Sequence, residues 1–380
     1  MLYPDAWKGT IPPELKQVAE SKGTLQLNVA ADLSLEFLAH LVFPAWLHTP
    51  KMKVLDAACG TGEAVTLQAV RYPHTAITAM EEDAEALGLA KAYVTELGIT
   101  NVMFEPVEEE RYHVIESTRP LNQIGEPEAF LKELRQKLAQ PGLLTVAADA
   151  VFDGPRFDAL QAAAVCLRTK DSTKKEVQAA VTDVLAVLDA PAEPGLWNIP
   201  DLAQLTAAAG LRIAALLHPY NYEPVRFIDS PAMREITADL SVVEKAWLAE
   251  VLRGQSAKHH LVLIPAETAK NMPLITDAEA SGYIPHPSPY VKMEQAGAGR
   301  YRFGLNRQHL LLHPALSIED IEAPADMVRV FQGINGMATF EQLHRRFLPL
   351  PWDVFWHFMN LLAENGMITL HREAQDHGTV

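Results

Sequence analysis

Seven short apolar runs, separated by helix-length segments, occupy the first two-thirds of the chain and allow few folds. They lie at 52–57, 76–80, 102–104, 114–115, 143–147, 211–217 and 261–264. In PEAFLKELRQKL, Phe130, Leu131, Leu134 and Leu138 line one helical face; Pro127 opens the helix and the following QPG is expected to stop it. Alternation of this kind predicts a largely parallel sheet covered on both faces. The expected fold class is α/β: a doubly wound, mostly parallel seven-stranded sheet with helical additions over residues 48–266, plus a small α+β domain near the C-terminus.

Residues 1–47 are expected to form an N-terminal helical lid segment, most amphipathic at VAADLSLEFLAHLVFPAW. A second helical addition falls at 154–196. Phe157, Leu160, Ala164 and Leu167 give one apolar face there, and Val177, Val181, Val184 and Leu188 another. Core packing and a lid over the strand ends are both open to these segments. Residues 267–285 read as a proline-bearing linker. Residues 286–380 then predict a strand near 301–305 and helices at 324–334 and 339–347. A longer helix from Pro351 carries Trp352, Phe355, Met359 and Leu362 and stops at Asn365-Gly366 before MITLH. Three helices and a closing strand resemble a winged-helix module. From residue 285 onward eight Lys/Arg face ten Asp/Glu, which favours packing or protein contact over DNA reading. Trp352 and Trp356 mark a candidate contact face for a second copy or a protein partner.

With 48% hydrophobic residues the chain can bury a sizeable core, and it holds no apolar run of membrane-spanning length. MLYPDAWKGT lacks the pattern of a signal peptide, so a cytoplasmic location is expected. Two cysteines, Cys59 and Cys166, are too few for a disulfide framework or a cysteine metal site. His259 and His260 are adjacent on a strand and face opposite sides, so no metal is expected. A net charge of −16 disfavours nucleic acid and suits a basic protein or a small neutral or cationic molecule.

The most informative string is VLDAACGTGEA, residues 54–64. Val54 and Leu55 end a buried strand, Asp56 sits at its tip, and Gly60 and Gly62 let the backbone approach a ligand closely. A glycine loop here can cradle a pyrophosphate. This one lacks a third glycine and carries Asp56 and Glu63, which would repel phosphates. Carboxylates favour an ammonium group, so the loop suits an amino-acid-bearing nucleoside without phosphates.

The string resembles motif I of class I S-adenosylmethionine-dependent methyltransferases, with Ala58 in the place of the pattern's first glycine. The resemblance spans roughly residues 40–265. It implies that Gly60 and Gly62 approach the methionine part of S-adenosylmethionine, with S-adenosylhomocysteine as product, and that Asp56 organises the loop. Glu81, 25 residues beyond Asp56, matches the family's ribose-binding acid, since a carboxylate accepts bonds from both vicinal hydroxyls. Glu82 lies towards the adenine edge. Where the family carries a Gly-Asp pair, this chain has Val107-Glu108; Glu108 or Glu109 is the candidate substitute.

The fourth strand departs further, from the pattern of the branch of that family which this chain most resembles. Its expected Phe-Asp, small-residue and His-His positions hold His113, Ser117-Thr118-Arg119 and Asn122-Gln123. GPRFDALQ, LWNIPDLAQLTAAAGLRI and LRGQSAKHHLVLIP match the same branch. Arg119, which can grip a carboxylate, and Asn122 are substrate candidates, as are Tyr220 and Tyr222 in HPYNYEP. The function expected is methyl transfer to a small-molecule or protein acceptor by in-line displacement. A methyltransferase-like scaffold without turnover, serving as a binding or assembly partner, is the alternative. A nicotinamide-dependent dehydrogenase is a third reading, and it conflicts with Asp56 and Glu63.

Overall fold

Strand β1 (Lys53–Asp56) is an interior strand of a seven-stranded sheet in the computed structural model, and Val54, Leu55 and Asp56 are all buried in it. Its partners are β2 (Ala76–Ala79), β3 (Val102–Met103), β4 (Tyr112–Ser117), β5 (Leu138–Asp149), β6 (Leu211–Leu216) and β7 (Lys258–Pro265). Their order is β3-β2-β1-β4-β5-β7-β6. The first five run parallel, and β7 is antiparallel to both its neighbours. The chain winds outward from β1 to β3 and returns to β4. A crevice is expected where the winding reverses, at the C-terminal ends of β1 and β4.

The structure describes residues 10–11, 13–20, 35, 38, 42, 52–73, 75–105, 109–117, 119–150, 160, 163–165, 167, 173–189, 197–217, 219–224, 227, 230–254 and 258–268. Beyond those it describes 281–287, 291–297, 300–305, 321–347, 350–364 and 367–372.

Helices α1 (Pro13–Glu20), α2 (Glu63–Arg71), α3 (Ala84–Glu96), α4 (Pro127–Lys137), α5 (Lys174–Leu185), α6 (Ile199–Ala208), α7 (Pro231–Thr237) and α8 (Val242–Arg253) accompany the sheet. Their starts follow local chemistry. Asp83 caps α3, its side chain accepting from the N–H groups of Glu85 (2.8 Å) and Ala86 (3.0 Å). Thr173 with Glu176 and Ser241 with Glu244 form reciprocal capping boxes at α5 and α8. Both apolar faces of the middle addition join the sheet's core: Leu160, Ala164 and Leu167 are buried there, as are Val177, Val181 and Val184. Trp247 of α8 fixes the second face by donating its indole N–H to the Val184 carbonyl at 2.8 Å. Phe157 lies outside the described residues.

Two local expectations are corrected. The α4 helix ends at Lys137, and Leu138 enters β5 at once, pairing with Tyr112. QPG is therefore part of a strand, because β4 offers Leu138 a ladder partner before the turn signal acts. Strand β8 (Tyr283–Pro287) also begins inside the segment read as a linker.

The chain divides into two compact units, one of residues 1–27 and 52–268, the other of 28–51 and 269–380. Helix α1 thus belongs with the sheet, whereas Leu35, Leu38 and Val42, in the segment read as one lid, group with the second unit. That unit contains β8, β9 (Val291–Gly297), β10 (Arg300–Leu305), β11 (Ile321–Pro324), α9 (Ala325–Gln332), α10 (Phe340–Arg346), α11 (Trp352–Glu364) and β12 (Ile368–Arg372). β10 pairs antiparallel with β9 and β11, and β12 with β8. Phe340 meets Phe355 edge-on with centroids 5.9 Å apart. Trp352 and Trp356 are half-buried, Trp352 packing on Phe355 and on His344.

Candidate cofactor site

The loop after β1 is held to both neighbouring strands. The Met80 N–H donates to the Asp56 carbonyl at 2.8 Å, Cys59 N–H to the Met80 carbonyl at 2.9 Å, and Ala57 N–H to the Glu116 carbonyl at 2.7 Å. Gly60 and Gly62 both take left-handed φ, +55° and +89°. A Cβ on Gly62 would lie 2.4 Å from that of Ala90, so this glycine lets α3 pack on the loop. Beside Gly60 an added Cβ would meet nothing within 4 Å. Gly62 is there for packing, Gly60 for an open backbone face.

Carboxylates gather around this loop. Asp56 is buried and accepts from the Ala58 N–H at 3.3 Å. Burial pushes its carboxyl well above the usual range, and the neighbouring Glu116 carboxylate pushes it further. Glu116 is buried beside it and receives a bond from the Gln68 amide at 2.6 Å; burial raises its pKa to about 7. Glu63 opens α2, buried, and accepts from the Thr61 hydroxyl. Asp56, Glu81 and Glu63 all act on the buried Cys59 thiol, which burial above all holds protonated.

Glu81, immediately past β2, is the junction of the site. Its Oε2 accepts from the Gly60 N–H at 2.8 Å. Its Oε1 accepts from the N–H groups of Glu82 (2.9 Å) and Asp83 (3.0 Å) and from Arg119 Nη2 at 2.6 Å. A cavity of about 620 Å³ opens here, lined among others by Ala58, Glu81, Glu82, Phe104, Arg119 and Phe130. This is within the range of small-ligand sites.

A family model described as a methyltransferase domain matches residues 48–185. Residues 48–185 are a methyltransferase domain. PKMT2 from Rickettsia typhi shares the fold at a TM-score of 0.57 and 9% identity, over 92% of this chain and 77% of that one. Its structure in complex with AdoHcy gives a TM-score of 0.57 and 12% identity with the same coverage. No curated protein sequence matches the chain. The sheet order and the fold likeness both agree with the Rossmann-like architecture of S-adenosylmethionine-dependent methyltransferases.

Within the methyltransferase domain, the sequence candidates Asp56, Ala58, Gly60, Gly62, Glu81 and Glu82 come together around the C-terminal ends of β1 and β2, and Arg119 joins them from the end of β4. Glu108 lies outside the described residues. Glu109 is described, and its carbonyl accepts from Arg111 Nη1 at 3.4 Å. His113 sits far down β4, where its Nδ1 accepts from the Lys53 N–H at 3.1 Å, away from the strand's C-terminal end.

Asn122, in the 3₁₀ turn Leu121–Gln123, spends its amide on one backbone position. It donates to the Asp149 carbonyl at 2.7 Å and accepts from the Asp149 N–H at 2.7 Å, pinning the end of β5. Asp149 in turn pairs with Lys258 at 2.9 Å.

Tyr222 is buried, its hydroxyl 3.0 Å from His259 Nδ1. His259 Nε2 is 2.9 Å from Glu250 Oε1, and Glu250 Oε2 accepts from the Ile199 N–H at 3.1 Å. This chain ties β7 to α8 and α6, and burial holds the phenol's pKa high. Tyr220 lies in the same turn, Pro219–Tyr222.

Sequence reasoning missed Glu116 and Gln68. The available signal was a carboxylate inside YHVIES, a strand otherwise fit for the interior of a parallel sheet, where an ionised side chain is costly.

Proposed function

We propose that this chain binds S-adenosylmethionine across the C-terminal ends of β1, β2 and β4 and transfers its methyl group to a small-molecule or protein acceptor. One observation carries the reading: the carboxylates of Glu63 and Glu81 flank a glycine loop with one open backbone face, while Asp56 and Glu116 lie buried beneath it. Such a site repels phosphate and attracts a cation. S-adenosylmethionine brings an ammonium group on its amino-acid end and a methyl group activated by a cationic sulfonium. The protein's own contribution is alignment and exclusion of water, and proximity of that kind supplies about 7–11 kcal/mol.

In this reading the open face at Gly60 receives the amino-acid end and Asp56 holds the loop in shape. Glu81 receives the ribose, and Glu82 with Glu108 or Glu109 borders the adenine. The acceptor lies on the β4–β5 side, where Asn122 and the Asp149–Lys258 pair fix the strand ends. Tyr222 serves that side from beneath, by holding the turn that carries Tyr220.

A second reading, a scaffold without turnover, is favoured by one feature: the Asn122 amide and the Glu81 carboxylate are both already engaged. Incubation with methyl-tritiated S-adenosylmethionine and a panel of amines, phenols, carboxylates and basic proteins separates the two. Label on one acceptor class with matching S-adenosylhomocysteine supports the enzyme. Cofactor binding without transfer to any class supports the scaffold.

A further inference from the structure

The inference rests on reading Glu81 as the ribose acid. A carboxylate offers about four lone-pair positions. Glu81 Oε1 receives donors from Glu82, Asp83 and Arg119, one more than its two lone-pair positions, and Oε2 receives one from Gly60. The vicinal hydroxyls of a ribose bring two further donors, so at least one present donor must leave.

Three of the four are backbone N–H groups that are fixed. Gly60 is held in the left-handed loop, and Glu82 and Asp83 form the turn capped into α3. Arg119 is the donor on a side chain. It is 30% exposed, whereas the Glu81 side chain is 2% exposed. A landing place lies on its outer side: Glu82 Oε2 is 3.8 Å from Arg119 Nη1, on a side chain that is 94% exposed.

We propose that Arg119 is a latch on the ribose position, holding Glu81 until the hydroxyls displace it and then moving to Glu82. Closing the site with an internal guanidinium satisfies a buried carboxylate, since a carboxylate at this depth is costly to leave unpaired. The cost falls on the cofactor, whose apparent affinity is reduced by the fraction of molecules in which the latch is open.

The test is calorimetric titration of S-adenosylhomocysteine into the full chain at low and at high salt, for wild type, Arg119→Gln, Arg119→Lys, Glu82→Gln and the Arg119→Gln/Glu82→Gln pair. This ligand has no net charge, so salt acts mainly on the latch. Wild-type affinity is expected to rise with salt, a series that needs no variant. Arg119→Gln is expected to bind about tenfold tighter, the change for a latch closed about nine-tenths of the time, with no salt dependence. Arg119→Lys should fall between the two. Glu82→Gln should weaken wild-type binding several-fold more than it weakens binding in the Arg119→Gln background, the difference being the part that acts through the latch.

Wild-type binding that is unchanged or weakened by salt, or Arg119→Gln binding no tighter than wild type, overturns the latch while leaving the cofactor reading intact. No binding by any form overturns the cofactor reading itself.

Discussion

Asp56 at the end of β1 and Glu116 on β4 stand opposite one another in the parallel ladder, both buried beneath the glycine loop. Gln68 from α2 bonds Glu116 and supplies a neutral partner where a cation would otherwise be needed. The fold therefore holds two like charges close together, and they cannot both ionise cheaply.

Glu116 should give the protein a measurable pH dependence. Its pKa rises from an ordinary 4.5 to about 7, so the folded state favours the protonated form. The associated stability is complete below the ordinary value and is lost as pH climbs through about 7. Urea denaturation between about pH 5 and about pH 8 should show falling stability across that window. Glu116→Gln should flatten the slope and gain up to about 3 kcal/mol at the alkaline end. An unchanged slope in the variant would assign the dependence to other groups.

The two loop glycines should respond differently to alanine. At Gly60 the added methyl meets nothing within 4 Å, leaving only left-handed strain, about 1–2 kcal/mol. At Gly62 the methyl would also meet the Ala90 Cβ at 2.4 Å and its Cα at 2.6 Å, so helix α3 must shift. Strain and overpacking together predict a loss of about 3 kcal/mol or more for Gly62→Ala. Equal losses in chemical denaturation would contradict the packing role given to Gly62.

Breaking the Tyr222–His259–Glu250 chain should destabilise the sheet unit in steps. Tyr222→Phe leaves His259 Nδ1 without its partner, at about 1–3 kcal/mol. Glu250→Ala strips both His259 Nε2 and the Ile199 N–H, at about 3–5 kcal/mol. A Tyr222→Phe variant as stable as wild type would show that the hydroxyl has work elsewhere.

Much of the sheet was legible because buried parallel strands are apolar on both faces and stand out as short runs. All seven runs contain or overlap a strand, β3 being the shortest. Motif I was legible for a related reason: one continuous peptide supplies Asp56, Gly60 and Gly62, so local order is spatial order. What escaped the sequence was pairing across distance. Arg119 meets Glu81 from 38 residues away, and Gln68 meets Glu116 from 48. Read alone, Arg119 was a free cation awaiting a substrate, and Asn122 an amide with spare bonds. The grouping of residues 28–51 with the C-terminal unit escaped for the same reason, since periodicity reports which face a helix buries and not against what.

Binding of S-adenosylhomocysteine by isothermal calorimetry, with NAD as control, beside Gly60→Arg and Glu81→Ala, tests the central claim most directly. The account predicts micromolar binding to the wild type, none of NAD, and loss of binding in both variants. A wild-type protein that ignores S-adenosylhomocysteine, or a Glu81→Ala variant that binds it undiminished, would contradict it.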